Sequence, residues 1–314
     1  MPRVSIIIPT FNLARYIGRT LESVFAQTYT DYEVIVVDDG STDDTRQVLA
    51  RYAGRLQYLY QGNRGVAAAR NIALDKATGE LIAYLDADDM WYPQKLEKQV
   101  DFLDRHEECG VVHSDTAVID ESDRIIYSEF NRQMHRDVPQ GQCLMPLLQR
   151  CHIQPLTVME RRDCVEQTGG FDERLRGVDD YMRWILLAIE GVEFGYIDEP
   201  LAMYRWRGGQ FSSSQTRTYW EAFVTMFNLL LKEKGLRSRC GEEAVAIARN
   251  RLYSLRHDLA YLDRAEGRTD QARRRILSLI QQWPLLPELY VELLKSCVPP
   301  ALLTRLRMLK QSLA

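Results

Sequence analysis

Four apolar runs punctuate the first ninety residues, and each gives way to polar positions and then to a helical period. VSIIIP (4–9) is apolar almost without a break and ends in proline, as expected of a strand covered on both faces. Leu13, Ile17, Leu21, Val24 and Phe25 follow at spacings of four, four, three and one, which predicts an amphipathic helix. YEVIVVDDG (32–40) is a second buried strand, broken at Gly40. Ser41 with Asp44 three residues on predicts an N-cap and capping box for a helix over 42–53. LQYLYQ (56–61) reads as a third strand, NRGVAAARNIALDKA (63–77) as a loop and helix, and ELIAYLD (80–86) as a fourth strand. This alternation implies a mainly parallel sheet with helices on both faces.

The pattern then changes. GVVHSDTAVID (110–120) and EFGYIDEPLAMYRWR (193–207) read as extended, whereas LMPLLQR (144–150) and GVDDYMRWILLAIEG (177–191) read as helical. From Tyr219 onward the period is helical nearly throughout, with breakers at Gly235, Gly267, Pro284 and Pro299-Pro300. Residues 258–284 predict a helical hairpin turning at Gly267, a loose match to one tetratricopeptide-type unit. The expected organisation is an α/β domain over 1–214, with halves 1–112 and 113–214, and a helical domain over 215–314.

Charge sharpens that division. Residues 215–314 hold 17 Lys and Arg against 10 Asp and Glu, a net of +7, and the first 214 hold 23 against 34, a net of −11. The acidic part is a poor nucleic-acid ligand, because backbone binding relies on clustered Lys and Arg. The basic helices, ending in ALLTRLRMLKQSLA, suggest contact with an anionic membrane surface or a partner. At 46% hydrophobic and 27% charged, the 314 residues suit a soluble globular protein with room for one large domain and a smaller one. No apolar run approaches a bilayer-spanning length. The N-terminus reads as a first strand, lacking a signal peptide's apolar region and cleavage site. Six cysteines without CxxC spacing suggest reduced thiols and a cytoplasmic setting, and argue against zinc.

The strand tips carry the candidate chemistry. In parallel sheets ligands sit beyond the carboxyl ends of the strands. There the chain places Thr10-Phe11-Asn12, Asp38-Asp39-Gly40 and Asp86-Ala87-Asp88-Asp89. Crowded carboxylates repel one another unless a cation is near. Asp88 or Asp89 as the cap of a helix through Pro93-Gln94-Lys95 is the plain alternative, but three aspartates exceed what a cap needs. Hard cations such as Mg²⁺ or Mn²⁺ take one or two carboxylates plus substrate phosphates. Asp38 fits a turn, and Asp39, with Ser41 already capping, is left to accept hydrogen bonds from a base or ribose. Arg70, on or beside the face packed against the sheet, needs an anionic partner: either a crevice aspartate or a phosphate. Asp179 and Asp180 suit a helix start, and one of them becomes a candidate general base if that helix faces the crevice. The five histidines (106, 113, 135, 152, 257) show no metal-ligand spacing and default to surface or satisfied core. Ser212-Ser213-Ser214, after Gly208-Gly209, has the composition of a flexible loop or lid.

Taken in order, VSIIIPTFN, ESVFAQTY (22–29), EVIVVDDGSTDDT (33–45), NRGVAAARN (63–71), TGELIAYLDADD (78–89), GGFDE (169–173) and DDYMRW (179–184) resemble the family 2 inverting glycosyltransferases of GT-A fold, over residues 3 to about 214. The resemblance implies transfer of a sugar from a nucleotide-diphosphate sugar to an acceptor hydroxyl, with inversion, in surface polysaccharide or glycan synthesis. It places Pro9, Thr10, Phe11 and Asp39 at the base and ribose, and Arg70 near the diphosphate. Asp86, Ala87 and Asp88 match the DxD motif, with Asp86 and Asp88 meeting a divalent metal, Mn²⁺ or Mg²⁺. Asp180 matches the general base, and Asp179 stands where relatives carry glutamate. The acceptor implied is a glycan or lipid-linked glycan. In YRWR (204–207), Arg207 replaces the histidine of many relatives, a fixed cation able to meet the leaving diphosphate or to weaken metal binding. Two alternatives are a sugar nucleotidyltransferase, although PTFNLARY lacks the glycine-rich loop such enzymes carry, and a non-catalytic nucleotide-sugar-binding module. The absence of GxGxxG after any strand argues against a dehydrogenase.

Overall fold

The computed structural model describes residues 1–134, 138–207 and 217–297. Among them, one nine-stranded sheet comprises β1 (Val4–Thr10), β2 (Tyr32–Asp38), β3 (Gln57–Tyr60), β4 (Leu81–Tyr84), β5 (Met90–Trp91), β6 (Cys109–Ile119), β7 (Ile125–Tyr127), β8 (Met159–Arg161) and β9 (Glu193–Arg205). Its order is β3-β2-β1-β4-β8-β6-β9-β5, with β7 beside β6. The first four strands pair in parallel. Short β8 runs antiparallel between β4 and β6, and β9 returns parallel to β6. The sheet is therefore mixed but mainly parallel, as the alternation of runs predicts.

Alternate side chains of each strand enter different cores, as strand geometry requires. Ile6 and Ile8 join α1 (Ile17–Phe25), α2 (Thr45–Ala50) and α4 (Lys95–Arg105) on one face. Ile7 joins α3 (Val66–Lys76), α6 (Leu144–Gln149), α7 (Arg162–Thr168) and α8 (Asp179–Ile189) on the other, and short α5 (Phe130–Met134) lies against β6. The second cluster does not stop at the sheet's own helices. It continues through Met226 and Phe227 of α9 (Arg217–Leu230), Leu236 of α10 (Lys234–Ser238) and Val245 and Leu252 of α11 (Gly241–Ala265). Beyond lie α12 (Thr269–Gln282) and α13 (Pro287–Ser296). The predicted hairpin is present in α11 and α12, turning at Gly267 with φ 78°. Gly235 does not break the chain but sits inside α10, where a Cβ would lie 2.8 Å from Ile189; it permits close packing. Pro299-Pro300, the terminal stretch, His135 and the Gly208–Ser214 segment lie outside the described residues.

Two predicted caps are corrected. α2 begins at Thr45, and the Ser41 hydroxyl accepts the N–H of Asn12 at 2.9 Å instead of capping. Asp43 takes the Thr45 N–H at 3.0 Å. Asn12, at φ 53°, a region asparagine tolerates, accepts the Thr42 N–H at 2.7 Å. The tips of β1 and β2 are thus tied to each other, which consumed the groups expected to start the helix. Likewise neither Asp88 nor Asp89 caps α4, whose first residue follows Gln94 with no side-chain cap.

Candidate active site

Beyond the carboxyl ends of β1, β2 and β4 opens a crevice of about 790 Å³. Pro9, Thr10, Phe11, Asp39, Arg70, Asp86, Ala87, Asp88, Asp179 and Asp180 line it, together with Arg207, whereas Asn12 and Asp38 do not. At the β1 tip, Phe11 is 42% exposed, an apolar face offered to whatever enters. The Thr10 hydroxyl is buried and has no hydrogen-bond partner among the described residues. Asp38 serves the turn, accepting the Ser41 N–H at 2.8 Å and the Tyr58 hydroxyl at 3.0 Å.

Asp39 differs from expectation. It is not an open acceptor: its carboxylate takes Gln61 Nε2 at 2.7 Å and the N–H groups of Arg64 and Gly65 at 2.7 and 2.8 Å. Those bonds hold the loop entering α3, where Gly65 adopts φ 98°. A carboxylate has about four acceptor sites, so roughly one remains toward the crevice.

Arg70 resolves the two acidic motifs into one network. Buried among the alanines of α3, its guanidinium donates to Asp179 Oδ2 and to Asp86 Oδ1, each at 2.8 Å. The fork thereby spans the DxD tip and the start of α8, and the two anions hold the guanidinium's proton more tightly than usual. Asp179 is committed to this bond, whereas Asp180 makes no ion pair among the described residues. Burial first, and then the neighbouring Asp179, push the Asp180 carboxyl up to about 7. Asp179 is also raised by burial, with Arg70 opposing.

The far side of the tip is fastened to β9. Asp89 is buried and accepts the Arg205 N–H at 2.7 Å, and Arg205 Nε donates to the Asp88 carbonyl at 2.7 Å. Burial raises the Asp89 carboxyl well above its ordinary value, so it belongs to the framework. Asp88 faces the crevice, where Arg207 Nε donates to its Oδ2 at 2.7 Å. A resident metal is testable against this donor set. No group of three His, Cys, Asp or Glu among the described residues is placed to hold an ion. Asp86 and Asp88, ion-paired to Arg70 and Arg207, are two hard-oxygen donors, a set that would suit a cation completed by diphosphate and water and not a closed protein site.

Several crevice residues carry no motif. Asn131, Cys151, His152, Gln154, Tyr219 and Phe223 also line it. The one available signal was the pair of aromatics four apart, Tyr219 and Phe223, on a predicted helix. His113 also departs from a satisfied core: it is fully buried, and neither ring nitrogen has a partner among the described residues. Burial and nearby His152 lower it to about 3, so it is neutral. The six cysteines form no disulfide; Cys109, Cys143 and Cys164 are buried and Cys297 is exposed.

A mixed, mainly parallel sheet with its crevice at a DxD-bearing strand tip is the GT-A architecture. The chain belongs to glycosyl transferase family 2, whose sequence model matches residues 5–163. It is similar to an uncharacterized glycosyltransferase of Rickettsia felis, 31% identical over 235 residues, 74% of this chain and 37% of that protein. The chain thus spans little more than a third of that relative's length. A Bacillus subtilis protein, TuaG, assigned as a glycosyltransferase of teichuronic acid biosynthesis, is 34% identical over 219 residues, 68% of this chain and 83% of that one. In fold, the chain is similar to S. aureus TarS 1-349 in complex with UDP-GlcNAc, with a TM-score of 0.63, 21% identity and coverage of 94% and 89% of the two chains. It is also similar to the mannosyltransferase PcManGT from Pyrobaculum calidifontis in complex with GDP-Man and Mn²⁺, with a TM-score of 0.59, 20% identity and coverage of 94% and 84%.

Proposed function

We propose that this chain transfers a glycosyl unit from a nucleoside diphosphate sugar to an acceptor hydroxyl with inversion, in the synthesis of a surface polysaccharide or glycan. One observation carries the reading: Arg70 ties Asp179 to Asp86, so that of the two carboxylates opening α8 it is Asp180 that lines the crevice without an ion pair among the described residues. Pro9, Thr10, Phe11 and Asp39 hold the base and ribose, with the Phe11 ring and the unpartnered Thr10 hydroxyl as the contacts with capacity to spare. Asp86 and Asp88 hold a divalent cation, Mn²⁺ or Mg²⁺, which when bound neutralises charge gathering on the diphosphate. Arg207, beside Asp88, adds a fixed positive charge on the same side.

Asp180 takes the proton of the acceptor hydroxyl. That oxygen forms a bond to the anomeric carbon as the carbon–oxygen bond to the β-phosphate breaks, and the nucleoside diphosphate leaves with the electron pair. Attack opposite the leaving group inverts the centre. A carboxyl raised to about 7 is a stronger base than an ordinary aspartate yet still ionised near neutral pH. The saccharide acceptor is free or lipid-linked. Supporting peripheral contact with an anionic membrane is the net +7 of residues 215–314; no helix among the described residues is long and apolar enough to cross one.

The test is a panel of UDP-, GDP- and dTDP-sugars with Mn²⁺, read by thermal shift and by nucleoside diphosphate release. A ligand at 100 times its Kd stabilises by roughly 2.7 kcal/mol. Binding with turnover is the expected result. Binding without release of diphosphate under any condition fits a non-catalytic module, and release of pyrophosphate from a nucleoside triphosphate fits a nucleotidyltransferase.

A further inference from the structure

Each carboxylate of the DxD tip is held by a guanidinium, and the two guanidiniums differ in how firmly they are placed. The Arg70 side chain is 5% exposed and forks between Asp86 and Asp179, so it is built into the packing of α3, the β4 tip and α8. Arg207 comes from beyond the end of β9, and its side chain is 28% exposed at the crevice. Its Nε donates to Asp88 Oδ2 at 2.7 Å, and its guanidinium stands 5.9 Å from the centre of the Tyr16 ring. Arg205 lies 5.0 Å from the same ring but is fully buried, tied to Asp89 and to the Asp88 carbonyl. Arg70 and Arg205 are framework. Arg207 is the exposed one of the three.

This arrangement changes what the tip offers a divalent cation. A carboxylate oxygen that accepts a charged N–H has its charge already matched, and the guanidinium repels a second cation at short range. Asp88 is released only if Arg207 finds another anion. A diphosphate is such an anion, because a guanidinium fork matches phosphate oxygens at two points. It also brings enough negative charge to hold Arg207 and a divalent cation together.

We infer that Arg207 locks the cation position: it holds Asp88 in the free protein, excludes a lone divalent cation, and gives up Asp88 when a diphosphate arrives to take its guanidinium. Cation and nucleoside diphosphate then bind as a coupled pair, each raising the affinity for the other by the same factor, as linkage requires. The identity of the anion rests on the glycosyl-transfer reading, whereas the lock is a property of Arg207 and Asp88 themselves.

The experiment titrates Mn²⁺ into the 314-residue chain, reading free Mn²⁺ by its EPR signal, first alone and then with UDP or GDP. Without nucleotide, Arg207→Gln is expected to bind Mn²⁺ about tenfold more tightly than wild type. Arg207→Lys, which keeps the charge, is expected to stay near wild type. The gain is expected to vanish in the Arg207→Gln, Asp88→Asn double variant, which places the cation on Asp88. A misfolded chain does not gain affinity at one named carboxylate, so the readout separates the lock from a structural effect. With UDP or GDP, wild type is expected to recover most of that factor, and Arg207→Gln to gain little more. Equal Mn²⁺ affinities in wild type and Arg207→Gln without nucleotide, whether both bind or neither does, overturn the lock. So does a gain that survives Asp88→Asn, or a nucleotide that binds wild type without tightening Mn²⁺. If wild type binds no nucleoside diphosphate at all, it is the glycosyl-transfer reading that fails, while the nucleotide-free comparison still decides the lock.

Discussion

Two adjacent carboxylates, Asp179 and Asp180, have different fates because a helix turns about 100° per residue. One meets Arg70 in the interior and the other faces the crevice. A general base is worth typically about 10² to 10⁴-fold, so Asp180→Asn is expected to lose turnover by that factor at saturating donor while donor affinity holds. Equal, mild losses in Asp180→Asn and Asp179→Asn would mean that the pair only starts a helix. The pH dependence follows from the same geometry. Turnover rises with pH as Asp180 ionises near 7, and neutralising Asp179 removes a charge that raises it, so in Asp179→Asn the acid limb moves to lower pH. A pH–rate profile that does not move refutes the coupling. The sign for stability is opposite to the common carboxylate case. A folded-state value raised from the ordinary 3.8 means that the native state binds more protons between about pH 4 and 7, so this group's contribution falls as pH rises through that window. Asp180→Asn is therefore expected to melt higher than wild type at pH 8, with the gap closing toward pH 4.

At the level of elements, buried ion pairs join pieces far apart in the chain. Arg70 of α3 bridges β4's tip and α8, and Arg183 of α8 donates to both oxygens of Glu160 on β8 at 2.8 Å, with Tyr84 on the same carboxylate. Removing one member leaves the other charged in the core, a cost of about 3–5 kcal/mol. Arg183→Met should lower the unfolding free energy extrapolated from urea melts by that amount with no specific loss of donor binding. Arg70→Met should cost stability and donor use together, and Arg70→Lys should rescue little, because one ammonium cannot reproduce a fork spanning two carboxylates. Urea melts beside donor titrations separate these outcomes. The elements themselves were largely legible: apolar runs mark buried strands whatever their neighbours. The Ser41 cap was not, because its hydroxyl accepts the N–H of Asn12, 29 positions upstream on the loop after β1.

For the whole molecule, the shared apolar cluster is decisive. Tyr181 and Ile185 of α8 pack in one cluster with Phe227 and Leu252 of the helical region. The 314-residue chain is therefore expected to unfold in one cooperative transition by calorimetry, and a chain ending at 207 is expected to aggregate through the uncovered face. Two resolved transitions would show that the helices fold as an independent unit. The basic surface is a separate matter: salt-sensitive co-sedimentation with anionic vesicles is expected, and no binding at low salt removes the membrane contact.

Local pattern alone determined the alternating elements, and the ordered motifs named the residues around the crevice, because strand burial and strand-tip position depend on neighbours within a few residues. The tertiary structure decided what those residues do to one another. Arg70 and Asp179 are 109 positions apart in the chain, and only folding brings them to 2.8 Å. That contact separates Asp179 from Asp180, just as the Gln61, Arg64 and Gly65 donors occupy Asp39 and α9 brings Tyr219 to the crevice. Charge and hydrogen-bonding capacity are written in the residue types, but how that capacity is shared out is settled by packing between elements distant in sequence.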